Sequence, residues 1–121
     1  MNITTLEMTR GDARKWLFAV TDSGTGAVFD ISGCSMWFTA KKRLSDTDLL
    51  AVFQKTIGAG ITVTDALNGL GYIQLLPTDT NTLENSKTQQ LEFDFQLEQG
   101  SNPYTLAFGK LTVYGEVTLT Y

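Results

Sequence analysis

Leu91-Glu92-Phe93-Asp94-Phe95-Gln96-Leu97-Glu98 is the stretch on which the fold class turns. Apolar and polar residues alternate strictly along it, and in an extended chain successive side chains point to opposite faces. One face therefore belongs to a core, and the face carrying Glu92, Asp94, Gln96 and Glu98 belongs to water. A helix would scatter the same residues around its axis. The stretch is a strand in a sheet that buries one side.

The same period recurs on both sides of it. In 34–42, Met36, Phe38 and Ala40 form an inward set, while Ser35, Trp37, Thr39 and Lys41 form the outward one. Residues 14–21 place Trp16, Phe18 and Val20 on one parity, and 3–9 do so with Leu6 and Met8. Shorter strands are expected over 28–31, 51–55, 61–64 and 71–76, the last with Ile73 and Leu75 inward. In the final segment Tyr104, Leu106 and Phe108 share one parity. Leu111, Val113, Val117, Leu119 and Tyr121 share the other, so a β-bulge is expected at Gly109-Lys110.

Turn residues separate these runs at Arg10-Gly11-Asp12, Asp22-Ser23-Gly24-Thr25-Gly26, Gly58-Ala59-Gly60 and Gly100-Ser101-Asn102-Pro103. Asn68-Gly69 supplies the positive φ angles of a tight hairpin. Ser45-Asp46-Thr47-Asp48 reads as a helix start with a capping box, and 78–83 as a short helical turn after Pro77. The expectation is all-β: one domain spanning 1–121, an antiparallel β-sandwich of seven to nine strands with one or two short helical turns.

Composition narrows the function. Nine basic residues against thirteen acidic ones give a net charge of −4, the wrong sign for a surface that binds nucleic acid. The chain has no histidine and one cysteine, Cys34, so an intrachain disulfide is excluded and the usual Ser or Cys nucleophiles lack their imidazole. Cys34 reads as a small buried hydrophobe. A zinc site has no ligand set, and neither Asp46-Thr47-Asp48 nor Asp65-Ala66-Leu67-Asn68 has the spacing of a calcium loop. No cofactor is implied. No apolar run approaches the roughly 20 residues that span a bilayer, and the N-terminus carries no secretory leader, so a protein made in a cytoplasm is expected.

Carboxylates mostly suit turns or the outward face of strands: Asp22, Asp30, Asp65 and Asp79 at turns, Glu92, Asp94 and Glu98 on the solvated half of 91–98. A hydrolase would need two of them to converge in a cleft, and none is expected here. Arg10-Gly11-Asp12 is turn chemistry rather than an adhesion motif. The candidate interface residues are the out-of-phase aromatics Trp37 and Tyr114, the basic run Lys41-Lys42-Arg43, and the final strand with Val117, Leu119 and Tyr121, whose free edge can add to a partner's sheet.

An ordered series of short motifs carries a family likeness. It runs from Met8-Thr9-Arg10-Gly11-Asp12 through Trp16 to Asp22, then Asp30-Ile31-Ser32-Gly33, Met36-Trp37-Phe38-Thr39-Ala40-Lys41, Ser45-Asp46-Thr47-Asp48 and Val52-Phe53-Gln54-Lys55. It continues with Ile61-Thr62-Val63-Thr64-Asp65, Leu75-Leu76-Pro77-Thr78-Asp79-Thr80, Tyr104-Thr105-Leu106 and Gly109-Lys110-Leu111-Thr112-Val113. The series resembles the immunoglobulin-like domains of tailed phages, which form the N-terminal part of baseplate upper proteins and also occur as short virion proteins. The resemblance implies an immunoglobulin-like sandwich in a virion, present in multiple copies or as a homo-oligomer among other phage structural proteins. It brings no catalytic residues, no nucleic acid and no membrane. With no receptor-binding module behind Tyr121, a tail or baseplate connector is expected. A capsid decoration or head-fibre protein is the alternative within the class. A carbohydrate-binding module using Trp37 as a stacking platform is the more remote one.

Overall fold

The structure is a computed structural model and describes residues 2–83 and 87–115, with side chains from residue 5 onward. Among these the chain forms eight strands: β1 Asn2–Thr9, β2 Arg14–Ala19, β3 Ser35–Lys41, β4 Phe53–Ile57, β5 Gly60–Asp65, β6 Leu70–Leu75, β7 Gln89–Gln99 and β8 Asn102–Tyr114. Three single 3-10 turns, Asp48–Leu50, Ala66–Asn68 and Pro77–Asp79, are the helical content. The strands hydrogen-bond in one continuous sheet of order β1-β8-β7-β3-β4-β5-β6-β2.

That sheet rolls over on itself until it is nearly a barrel. Edge strand β2 stands at the far end of the order from β7, yet Phe18 meets Phe95 edge-on at 5.1 Å and Trp16 lies 5.9 Å from Phe38. The ladder is thinnest between β4 and β5, which share two residue pairs beside a turn where Gly58 and Gly60 both take positive φ. The all-β expectation holds; the strands make one wrapped ladder rather than two separate ones.

The core follows the alternation. Met36, Phe38 and Ala40 of β3 and Leu91, Phe93, Phe95 and Leu97 of β7 are buried, as are Ile73 and Leu75 of β6. Phe38 is the hub, with Phe53, Phe93 and Phe95 at 5.7, 5.5 and 6.1 Å. Aromatic pairs at such distances add to the burial of area, which dominates the stability of small domains. Cys34 is buried, and burial pushes its thiol pKa up.

Several local expectations are corrected. The pairing is not antiparallel throughout: β1 runs parallel to β8 over eight residue pairs, Asn2 opposite Ala107 to Thr9 opposite Tyr114. Residues 28–31 form no strand beyond a bridge between Thr21 and Val28, because Phe29 N–H donates to Val20 O and Ile31 N–H to Ala66 O. The bulge falls at Leu106, not at Gly109-Lys110, since Phe95 pairs with Ala107 and the next residue, Gln96, with Thr105. The hairpin between β5 and β6 turns through a 3-10 segment with Gly69 alone at positive φ, so Asn68 is not part of a two-residue turn. The turn near Ser45 starts at Asp48 with Thr47 as a cap that makes no side-chain bond, which removes the capping box.

The Arg10-Gly11-Asp12 turn proves to be an anchor. Arg10 donates to the carbonyls of Leu83 (2.6 Å) and Asn81, and Gly11 N–H to the buried Thr80 hydroxyl at 2.9 Å. Lys55 binds Asp79 at 2.8 Å with both side chains largely buried, and Asp79 also accepts from Leu76 N–H at 2.7 Å.

Candidate interaction groove

The outward face of β3, β7 and β8 is not simply solvated. It forms a groove of about 1100 Å³ that extends from Thr5 on β1 to Gln54 on β4, with Leu44 and Asp48 of the β3–β4 loop on its rim. Glu92, Asp94, Gln96 and Glu98 are all half-buried, and Thr39 is buried. The sequence alternation assigned these residues to open water. The neighbouring groove side chains, Leu44 and Asp48 of the loop among them, remove part of that water.

Charge is distributed unevenly in the groove. Lys41 Nζ lies 2.8 Å from Asp48 Oδ1 and donates to Asp46 O at 2.9 Å, so this lysine closes its own loop rather than presenting a free basic edge. The Lys41 hydrogen bond and charge hold the Asp48 carboxyl below its ordinary pKa. Lys110 pairs with Glu92 across β8 and β7. Asp94 accepts from Gln96 Nε2 at 3.0 Å, and burial pushes its carboxyl up, with Asp48 raising it further against the opposing pull of Lys41 and Gln96. Four carboxylates thus line the groove: Glu92, Asp94 and Glu98 on the outward face of β7, as expected, and Asp48 from the β3–β4 loop. Two of them are paired with lysine; Asp94 and Glu98 are in no ion pair among the described residues.

Trp37 lies half-buried on the floor of this groove, as its outward parity required. Phe108 joins it. The alternation counted Phe108 inward with Tyr104 and Leu106, but the bulge at Leu106 reverses its face and sets it opposite Asp94. A bulge is hard to place from one strand's pattern when the flanking positions are Ala, Phe and Gly. Tyr114 is exposed and stands apart, at a smaller hollow of about 310 Å³ lined also by Glu7, Asp12 and Arg14. It lies nine residues along β8 from Thr105, or about 30 Å at the rise of an extended strand, so the two candidate aromatics do not form one patch. Lys42 and Arg43 are exposed. Val117, Leu119 and Tyr121 lie outside the described residues.

One element escaped the sequence reading. The loop after β3 exposes Leu44, Leu49 and Leu50 at 79%, 96% and 65% of their full surface. Three leucines within seven residues, none buried, are apolar surface that a partner could cover. The signal was visible as leucines inside an otherwise polar stretch, but an expected helical turn offered them an imagined core.

Among the described residues no group of three or more Cys, Asp or Glu side chains could hold a metal ion, and no helix is long and apolar enough to cross a membrane. No protein-family model matches the chain, and neither does any curated protein. Among solved structures, the N-terminal domain of phage TP901-1 ORF48 is similar over 95% of this chain and 85% of that one, with a TM-score of 0.43 and 13% identity. A likeness of that size defines neither the fold nor the function of this chain.

Proposed function

We propose that the chain is a structural protein of a bacteriophage particle, an immunoglobulin-like connector that works in the tail or baseplate through protein–protein contacts and without catalysis. The observation that carries the reading is the ordered motif series from Met8 to Val113, which resembles the immunoglobulin-like domains of tailed-phage virions. Its mode of action follows from the leucine loop. Leu44, Leu49 and Leu50 are exposed apolar side chains that a neighbouring virion protein would cover, and burying each would contribute about 1.5–3 kcal/mol before the costs of association.

The test is direct. Antibodies against the purified chain should decorate purified phage particles at the tail end in immunogold electron microscopy. Labelling confined to the capsid would replace the connector by a decoration protein. Particles that lack the chain altogether would end the virion reading.

A further inference from the structure

Two surfaces of this chain complement each other in charge, and they adjoin at Leu44 and Asp48. The first is the groove, where lysines pair with Glu92 and Asp48 but leave Asp94 and Glu98 without an ion pair among the described residues. Its floor holds Trp37, whose side chain makes no ring contact, cation contact or hydrogen bond among the described residues. Two other aromatics of the sheet each have a cation beside the ring. Arg14 stands 5.7 Å from the Trp16 ring centre and Lys15 4.1 Å from that of Tyr72. Trp37 lacks the cation that those rings possess.

The second surface is the loop on the groove's rim. Lys42 and Arg43 are exposed, are in no ion pair among the described residues, and stand directly before Leu44. They offer two positive charges for two negative ones. Asp94 and Glu98 are four residues apart on β7, about 14 Å at the rise of a strand, a span that two long side chains diverging from adjacent residues can cover.

We propose that the 42–50 loop of one copy docks in the groove of a second copy of this chain, with Lys42 and Arg43 against Asp94 and Glu98 and the Arg43 guanidinium over Trp37. The loop borders the groove through Leu44 and Asp48, so a two-fold arrangement lets each copy's loop reach the other's groove and closes as a dimer. A cation over a half-desolvated indole adds attraction that lysine–carboxylate pairs at an exposed rim do not. The leucines that the monomer leaves bare are covered in the same contact. The pairing rests on the connector reading, in which copies work side by side.

Light scattering with size exclusion on the purified chain tests it without any particle. The wild type should elute at twice 13.3 kDa at low salt and shift toward monomer at high salt. K42E/R43E and D94K/E98K should each be monomeric, and mixing the two should restore a dimer, because each loop then meets a groove of opposite sign. Trp37→Ala should weaken the dimer by about tenfold with an unchanged far-UV circular dichroism spectrum. E98K alone serves if the double groove variant does not fold. A monomeric wild type, a stable mass above the dimer, or a mixture that stays monomeric overturns the proposal. A dimer from a chain that particles lack would instead sink the connector reading alone.

Discussion

At the residue scale the most informative group is Asp94. Burial in the groove holds its carboxyl above the ordinary 3.8, so the folded state binds that proton more tightly than the unfolded chain does. Its favourable contribution is therefore complete below pH 3.8 and is lost as pH rises through the higher folded-state value. At neutral pH the ionised group weighs against folding. Asp94→Asn keeps an acceptor for Gln96 and removes the charge, so its melting temperature should exceed the wild type's at neutral pH and coincide with it below pH 3.8. Thermal melts at a series of pH values, at high salt where the chain is monomeric, read the gap, and a wild type that is the more stable at neutral pH contradicts the account. Asp79 carries the opposite lesson. It holds Lys55 and caps Leu76 N–H in a sheltered place, so Asp79→Ala strands a cation and a donor and should cost about 2–3 kcal/mol in urea unfolding.

At the scale of elements, alternation was a reliable guide wherever a strand had one dry face, as in β3, β6 and β7. It failed where the information is not local. The bulge at Leu106 depends on the partner strand, and the short segment 28–31 gives its hydrogen bonds to Val20 and Ala66 rather than to a ladder. The same limit hid half of the candidate site. Trp37 was legible from its parity, whereas Phe108 reached the groove through the displaced bulge and the shelter over Asp94 came from the neighbouring groove side chains. Gly69 shows what a turn can demand that composition only hints at. It sits at φ 70°, and a Cβ there would lie 2.6 Å from Val20 O and 2.7 Å from Phe29 O. Both obstacles are backbone, so Gly69→Ala should destabilise by about 2–4 kcal/mol, measured as a lower guanidinium midpoint. A shift within error would mean that the β5–β6 turn can relax around the methyl.

At the scale of the whole molecule, the all-β class was readable from periodicity, but the pairing of β1 with β8 was not. Nothing in residues 2–9 names a partner a hundred positions away, and parallel pairing in a chain otherwise full of hairpins runs against local expectation. That pairing has a mechanical meaning. β1 starts beside Ala107 and β8 ends beside Thr9, so traction applied to the two ends of the described chain pulls adjacent parallel strands in opposite directions along their length. Every rung between them is then loaded together, as in a lap joint, instead of opening one after another like a zipper. Single-molecule pulling from residues 2 and 115 should show one high rupture force, and pulling across β7 and β8 from their shared turn a markedly lower one. A molecule built this way withstands tension along one axis and yields along another, which is a useful property for a part set in a line of force.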